Sequence, residues 1–220
     1  QFPFTLTKVG NDFGTLAVNS IPPEAEVYIN GNDYGLTTPA STDITTGQYS
    51  VYVTLKNYER SDTQTVLIES GKKNATNFVL TSTTLVSGKV FIIPKVLNIA
   101  RTNAYFLAFV KLPSVYNASD VIASSVVCNG APAIRIGRSN LFPHAFFGVF
   151  RRKDLGNMNT GRKVPFTVTG ALLTTTGKYR FSGSDTIQVI RQSTTKTEDT
   201  DGVMGLSDDK IFTKFYPSSL

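Results

Sequence analysis

The chain has 220 residues, which is enough for one large or two small hydrophobic cores. It is rich in phenylalanine, tyrosine, threonine and serine, a composition typical of twisted sheets, and it contains no run of about 18 apolar residues that could form a membrane-spanning helix. Its formal net charge is +6, and its single cysteine excludes an internal disulfide.

Residues 14–80 predict a compact unit of four or five short strands. Apolar residues alternate there with polar or small ones, which is the period of a strand with one buried face. The alternating residues are Leu16, Val18, Val27, Ile29, Tyr49, Val51, Val53, Val66 and Ile68. Proline and glycine turns separate the segments at residues 20–23, 31–33, 38–39, 46–47 and 70–71. Turns this closely spaced indicate an all-β unit.

Four motifs follow one another in this unit: G-x-L-x-V, P-x-A-x-V-x-I-x-G, G-x-T-x-P and G-x-Y-x-V-x-V. The residues that carry the pattern are Gly14, Leu16, Val18, Ser20, Pro23, Ala25, Val27, Ile29, Gly31, Gly35, Thr38, Pro39, Gly47, Tyr49, Val51, Val53, Tyr58 and Gly71. The pattern resembles the PEGA domain, a small β-sandwich module of extracytoplasmic and cell-surface proteins of archaea and bacteria. The resemblance implies a role in adhesion or assembly. Two residues depart from the family pattern: Glu24 lengthens the link between proline and alanine, and Asn57 stands where glycine is commoner.

Residues 83–190 predict a second antiparallel β-sandwich, because about eight segments of strand character are separated by turns at even spacing. These segments are residues 89–94, 105–112, 121–128, 133–136, 145–151, 164–173, 178–181 and 186–190. A hairpin turn is expected at residues 174–177. The one helical candidate, residues 152–158, is equally compatible with a turn. The end of this region resembles the closing hairpin of β-sandwich modules of prokaryotic cell-surface proteins.

Together these patterns predict an all-β fold of two tandem antiparallel β-sandwich domains. Residues 1–13 are expected to form an N-terminal extended segment, residues 14–82 the PEGA-like sandwich and residues 83–190 the second sandwich. Residues 191–220 are expected to form a tail that adds a strand. A short polar link is expected at residues 81–84.

Both ends of the sequence carry apolar residues on otherwise polar segments. These residues are Phe2, Phe4, Phe212, Phe215 and Tyr216. Free ends gain nothing by exposing aromatic side chains, so both segments are expected to be strands. Such a strand either docks on the chain's own sheet or is donated to a sheet edge of the next molecule, and the sequence leaves both alternatives open.

Charge is distributed unevenly along the chain. Residues 1–82 carry 5 Lys and Arg against 8 Asp and Glu (net −3), residues 83–190 carry 13 against 3 (net +10), and residues 191–220 carry 4 against 5 (net −1). Regions of opposite charge offer complementary faces to neighbouring copies. The residues expected to make assembly or anion contacts are Arg135, Arg138, Arg151, Arg152, Lys153, Arg162 and Lys163. They are not interleaved with aromatic residues in a known nucleic-acid-binding motif, so no nucleic-acid partner is expected.

Three residues bear on location and cross-linking. Cys128 is either a packed apolar residue or the partner of a second molecule in a disulfide. Asn74 and Asn117 each begin an Asn-x-Ser/Thr triplet and are candidates for glycosylation. The sequence begins at Gln1 without a hydrophobic leader, so we expect an exported chain from which the signal peptide has been removed.

The sequence contains no recognisable catalytic constellation. His144 is the single histidine, and only Ser139 lies near it along the chain, so a packed histidine is the favoured interpretation. One histidine and one cysteine are too few for a transition-metal site. The acidic residues Glu198, Asp199, Asp201, Asp208 and Asp209 fit a solvated linker better than a calcium loop. We therefore expect no enzyme activity, no cofactor and no metal.

The interpretation favoured by the sequence is a non-enzymatic extracellular structural protein. It is expected to assemble with copies of itself into a layer, sheath or filament of a prokaryotic, specifically archaeal, cell envelope. Pairing at sheet edges and contacts between acidic and basic domains are the expected means. The alternative is a surface binding module whose basic second domain recognises an anionic glycan or a protein partner.

Overall fold

The computed structural model describes residues 12–100, 104–192 and 206–217. Strands dominate these residues, and the one α-helix among them has eight residues, so the prediction of an all-β fold is confirmed. Within the same ranges, no helix has the length and hydropathy needed to cross a membrane. The chain divides into two compact units, one of residues 1–83 with 175–177 and one of residues 84–174 with 178–220.

The described part of the first unit forms seven strands. They are Phe13–Ile21 (β1), Glu26–Ile29 (β2), Asn32–Thr37 (β3), Ala40–Thr45 (β4), Gly47–Thr54 (β5), Gln64–Ile68 (β6) and Lys73–Val79 (β7). One sheet has the order β4-β1-β7 and the other has the order β3-β2-β5-β6. The sequence predicted four or five strands, and the alternating residues on which that number rested fall on β1, β2, β5 and β6. β3 and β4 show little hydrophobic alternation because most of their residues are exposed or half-buried.

The core of the first unit lies where the alternation of the sequence places it. Leu16 and Val18 from β1, Val27 from β2 and Val51 from β5 are at most 2% exposed and belong to one apolar cluster. The same cluster includes Ile44 from β4 and Phe78 from β7, which lie in the sheet of β1, whereas β2 and β5 belong to the other sheet. Side chains of both sheets thus share a single core, as expected for a sandwich.

The two departures from the PEGA pattern share an unusual backbone conformation. Glu24 and Asn57 both have a φ of +67°, in the left-handed region that glycine adopts most easily. Asparagine tolerates this region better than most residues. Asn57 therefore takes the conformation that the commoner glycine would take at this turn.

Two strand pairings differ from the predicted antiparallel arrangement. β1 pairs with β7 in parallel, from Thr15 opposite Lys73 to Ile21 opposite Val79. A second parallel pairing occurs in the other unit between residues 96–98 and 188–190. Alternation of buried and exposed residues is the same in both kinds of pairing, so it predicts a strand but not the direction of its neighbour.

Ten further strands follow, which lie in the second unit apart from the first residues of β8 and β17. They are Thr81–Ser87 (β8), Lys89–Ile93 (β9), Val96–Asn98 (β10), Tyr105–Lys111 (β11), Val127–Cys128 (β12), Ala131–Pro132 (β13), Arg135–Arg138 (β14), Ala145–Arg151 (β15), Gly161–Thr174 (β16) and Gly177–Ile190 (β17). A six-stranded sheet has the order β10-β17-β16-β12-β13, with β8 also paired to β17. A four-stranded sheet has the order β14-β15-β11-β9.

The hairpin predicted at residues 174–177 is confirmed, since β16 ends at Thr174 and β17 begins at Gly177. Three other segments differ from their predictions. The polar link expected at residues 81–84 is the start of β8. The strand expected at residues 121–128 contains the short 3-10 turn Ala123–Ser125 and is a strand only at Val127–Cys128, in β12. The segments predicted separately at residues 178–181 and 186–190 form one continuous strand, β17.

The segment expected to be an added strand is a helix. Residues Asp208–Phe215 form the α-helix α1, which contains Phe212 and Phe215, and Tyr216 follows directly after it. Phe212 is 2% exposed and packs on the outer face of the four-stranded sheet of the second unit. The prediction of a strand was therefore wrong here, because apolar residues at positions 211, 212, 215 and 216 share one side of a helix. Phe2 and Phe4, predicted to lie on a donated strand, are outside the described residues.

Candidate assembly surfaces

The edge strand β4 is the first candidate surface. β4 pairs with β1 and has no second strand neighbour among the described residues. An edge strand of this kind presents backbone N–H and C=O groups that can pair with another chain. We call residues 40–45 the β4 margin.

The amides that face outward from the β4 margin follow from its register. The Thr46 amide donates to the Asp12 carbonyl at 2.8 Å, so residues 12 and 46 form a hydrogen-bonded pair. Such pairs alternate with non-bonded pairs along antiparallel strands. The register places Ser41, Asp43 and Thr45 in the non-bonded positions. Their backbone N–H and C=O groups therefore point away from β1.

The opposite margin of the first unit is closed by side chains. The Asn74 amide group on β7 donates to the Leu67 carbonyl of β6 at 2.5 Å. In the other direction, the Gln64 amide group on β6 donates to the Asn77 carbonyl of β7 at 3.0 Å. These two bonds join the edge strands of the two sheets and satisfy carbonyls that a neighbouring chain would otherwise use.

Both margins of the four-stranded sheet in the second unit are capped by aspartates. The Ile92 amide on edge strand β9 donates to Asp185 Oδ2 at 2.7 Å, and Lys95 Nζ lies 2.5 Å from the same oxygen. The Arg138 amide on edge strand β14 donates to Asp208 Oδ2 at 3.0 Å. Carboxylates at these positions satisfy edge-strand donors and discourage pairing with another strand.

Two of the predicted assembly residues are engaged within the second unit. Arg135 Nη2 donates to Asp208 Oδ1 at 2.6 Å and to the Leu206 carbonyl at 2.8 Å. Arg138 Nε donates to the Ala118 carbonyl at 2.7 Å, and its Nη2 donates to the Val121 carbonyl at 2.9 Å. Both guanidinium groups thus hold neighbouring segments of their own chain, and their use in external contacts stays a prediction.

The remaining predicted cations divide by exposure. Arg152 is 4% exposed and donates from Nη1 to the Asn98 carbonyl at 3.5 Å, so it is a buried residue and not part of a surface patch. Arg151, Lys153, Arg162 and Lys163 are exposed. Arg162 and Lys163 also line a shallow groove of about 590 Å³, formed by residues 155–165 together with Asn129.

Cys128 lies in the inter-sheet core of the second unit and is 0% exposed. Burial raises the pKa of its thiol to about 12. Of the two alternatives left by the sequence, this position is that of a packed apolar residue. A thiol so enclosed cannot meet the sulfur of a second molecule without opening the core, so the predicted intermolecular disulfide is not supported.

We expect the Cys128 thiol to resist alkylation in the folded chain at pH 8 and to react fully after unfolding in urea. With a pKa of about 12, roughly one thiol in ten thousand is ionised at pH 8. The pKa of Cys128 is higher in the folded chain than in the unfolded chain, so the folded state is stabilised as long as the thiol stays protonated. This contribution to the free energy of unfolding is complete below pH 9 and is lost as the pH rises towards 12. Mass spectrometry after timed alkylation measures the reaction. Labelling of the native chain at the rate of the unfolded chain would contradict the burial.

The two glycosylation triplets lie in different environments. Asn117 is exposed in the loop before the 3-10 turn Ala118–Asp120, and Ser119 is exposed as well. Asn74 is half-buried on β7, where its amide group is used in the bond to Leu67. A glycan on Asn74 Nδ2 would disturb this closed margin, so Asn117 is the better candidate of the two.

His144 and Ser139 do not form a catalytic pair. His144 Nδ1 lies 2.8 Å from the Tyr116 carbonyl, which makes it a donor that holds two loops together. Ser139 Oγ donates to Asp209 Oδ1 at 2.6 Å. Among the described residues no three His, Cys, Asp or Glu side chains come together as metal ligands. Glu198, Asp199 and Asp201 lie outside those residues, whereas Asp208 and Asp209 hold α1 in place.

Comparison with known proteins identifies the first unit. Residues 13–84 match the PEGA domain. No curated protein matches the chain. Among solved structures, BcpA, the major pilin subunit of Bacillus cereus, is 10% identical, with a TM-score of 0.29 over 82% of this chain and 69% of the pilin. The full-length major pilin SpaD from Corynebacterium diphtheriae is 8% identical, with a TM-score of 0.23 over 83% of this chain and 66% of the pilin. TM-scores this low do not establish a shared fold.

The PEGA match confirms the resemblance predicted from the sequence and extends it by a few residues at each end. It indicates an extracellular surface protein. Further strands follow the matched residues, from β9 through β17. Residues 13–84 therefore form a PEGA domain, and further β-strand structure follows it in the chain.

Proposed function

We propose that the chain is a non-enzymatic structural subunit that associates with copies of itself at the surface of a prokaryotic cell. The finer form of the proposal is a layer, sheath or filament of an archaeal envelope, with residues 14–82 and 83–190 as separate domains. The observation that carries the proposal is the β4 margin, where the N–H groups of Ser41, Asp43 and Thr45 point away from β1 and no second strand pairs with them among the described residues. Backbone pairing along such a margin needs no side-chain complementarity and joins unlike edges as readily as like ones.

Charge supports a second contact between copies. The first 82 residues have a net charge of −3, and residues 83–190 have a net charge of +10. The β4 margin carries the exposed Asp43, while Arg151, Lys153 and Arg162 are exposed in the second unit. A contact between two different patches does not close on itself, so it can propagate into an open array.

We expect Ser41→Pro to reduce self-association strongly while leaving the fold intact. Proline removes the outward N–H at residue 41 and does not remove a bond to β1, because this residue occupies a non-bonded pair. Ser41→Ala is the matched control, since it keeps the N–H. Electron microscopy and light scattering at increasing concentration measure assembly, and circular dichroism reports the fold. Equal assembly by the wild type and both variants would contradict a role of the β4 margin.

A second candidate function is recognition of an anionic glycan. The groove lined by Arg162 and Lys163 favours it, because the asparagine side chains at positions 157 and 159 accompany the two cations. Cations beside amide groups can hold carboxylate or sulfate groups of a polysaccharide. The two functions differ in solution: a chain that stays monomeric at high concentration and low salt, yet binds a heparin column, supports the glycan function. Arg162→Glu with Lys163→Glu would then abolish retention on the column.

A further inference from the structure

The outer face of the four-stranded sheet in the second unit is apolar. The six residues that form this face come from β9, β11 and β15 and are each at most 8% exposed; they are Ile93, Leu107, Phe109, Ala145, Phe147 and Val149. Ile211 and Phe212 of α1 belong to the same buried cluster. We call the six sheet residues together with Arg135 the α1 receptor surface, and residues 206–217 the α1 segment.

Aromatic contacts fix the position of the α1 segment. The ring centroid of Phe212 lies 5.6 Å from that of Phe109 and 5.5 Å from that of Phe147, both in edge-to-face geometry. Phe142 stacks on Phe212 at 5.4 Å, and Tyr216 lies 4.5 Å from Phe142. Pairs of this geometry add specificity to the burial of area. Phe212 thus acts as an anchor residue in an aromatic pocket.

Polar contacts fix the orientation of the α1 segment. Asp208 lies in the first turn of α1, where it accepts from Arg135 Nη2 and from the Arg138 amide. Asp209 accepts from Ser139 Oγ. An acidic first turn bound by an arginine and an apolar side lying on a sheet form a complete recognition motif, comparable to an amphipathic helix in a groove.

The α1 segment depends on this surface for its structure. A helix of eight residues is too short to be stable alone in water, so it forms where its apolar side is buried. Residues 193–205 join it to the end of β17. A chain of this length spans at most about 45 Å, which permits attachment to a neighbouring molecule as well as to its own.

We propose that the α1 receptor surface binds the α1 segment of a second copy, so that α1 is exchanged between subunits. This inference rests on the proposed self-association and names one of its contacts. Every copy carries both the surface and the segment, and exchange preserves each hydrogen bond and aromatic contact described above. Exchange in one direction links copies into an open chain, whereas mutual exchange makes a closed dimer.

The first test uses two full-length charge-reversal variants. Arg135→Glu places a carboxylate opposite the chain's own Asp208, and Asp208→Lys places an ammonium group opposite its own Arg135, so each variant repels its own α1. In an exchanged pair of the two variants, one interface joins the carboxylate introduced at residue 135 to the ammonium group introduced at residue 208. The other interface joins the unchanged Arg135 to the unchanged Asp208. Neither interface therefore contains a like-charge contact. We expect native mass spectrometry of the mixture to detect heterodimer at least about tenfold above either homodimer. Lys210→Glu mixed with Lys56→Glu is the control, because both residues are exposed and neither is among the predicted contact residues, so this pair should give no enrichment.

A second test avoids any loss of α1 docking through charge repulsion. Ser139 and Asp209 are in hydrogen-bond contact, so Ser139→Cys and Asp209→Cys on separate chains, both with Cys128→Ala, form a disulfide between the chains only if α1 is exchanged. The double variant on one chain shows that the bond can form. Absence of heterodimer and of interchain cross-link would overturn the exchange, even if the wild type assembles through the β4 margin. The same cross-linking can be repeated with Ser41→Pro added to both cysteine variants. If Ser41→Pro abolishes assembly but the cross-link still forms, α1 is exchanged and the exchange does not depend on the β4 margin.

Discussion

Replacing Phe212 with alanine is expected to lower the free energy of unfolding of the second unit by about 3 to 5 kcal/mol. Phe212 is 2% exposed and contacts the rings of Phe109, Phe142 and Phe147. Its removal leaves a cavity between α1 and the sheet and takes away the anchor of a helix that has little stability of its own. Urea denaturation followed by far-UV circular dichroism measures the change.

The matched control for this prediction is Phe215→Ala. Phe215 is on the same helix but is only half-buried, so the expected loss is about 1 kcal/mol. An apolar dye should also bind more strongly to Phe212→Ala than to Phe215→Ala, because release of α1 uncovers the sheet face. Equal destabilisation by the two substitutions would mean that α1 does not depend on Phe212.

Gly137→Ala is expected to destabilise the second unit by about 3 kcal/mol. A Cβ atom at residue 137 would lie 2.0 Å from Phe147 Cζ and 2.8 Å from Asp208 Oδ1. Phe147 is fully buried, so its ring cannot turn away without displacing the residues around it. The substitution therefore disturbs the aromatic pocket and the α1 contact together, and thermal unfolding measures the loss.

Gly161→Ala is the control for this substitution, since the nearest atom to its added Cβ is a Val164 methyl carbon at 3.2 Å. Its expected cost is less than about 1 kcal/mol. Adding Phe147→Leu to Gly137→Ala should recover part of the lost stability, because the smaller side chain makes room for the methyl group. No difference between the two alanine variants would contradict the close approach at residue 137.

The sequence predicted those parts of the fold in which one face of a strand is buried and the other is exposed. Leu16, Val18, Val27 and Val51 alternate with polar neighbours, and the structure buries all four. The PEGA resemblance rested on the same residues and on the turns between them, and the family match confirms it. Local periodicity and turn chemistry are enough where each strand has a single core face.

The second unit was harder to predict because its four-stranded sheet is covered on both faces. β11 has the sequence YFLAFVK and β15 has the sequence AFFGVFR, each with a run of buried apolar residues and no alternation. A strand that is apolar on both faces requires a second layer, and here the layer is α1. The two uninterrupted apolar runs in the sequence could have indicated that another element covers the second face of this sheet. The order of the strands and the parallel pairings depend on long-range contacts that local patterns do not specify.

The internal roles of three candidate contact residues were hidden from sequence reasoning for a physical reason. Net charge counts side chains but does not indicate which of them are used internally. Arg135, Arg138 and Arg152 bind backbone carbonyls of their own chain, and Arg135 also pairs with Asp208. The aspartate caps at Asp185 and Asp208 were equally hidden from sequence reasoning, because each bridges residues that are about 70 to 93 positions apart.

The parallel pairing of β1 with β7 determines how the PEGA domain responds to tension. The domain begins with β1 and ends with β7, which lie side by side and run in the same direction. A pull on the two chain ends therefore slides one strand along the other and loads the hydrogen bonds in shear. The bonds across all the residue pairs, from Thr15 with Lys73 to Ile21 with Val79, share that load instead of opening one after another. A domain whose first and last strands pair in parallel is therefore expected to resist stretching along the chain.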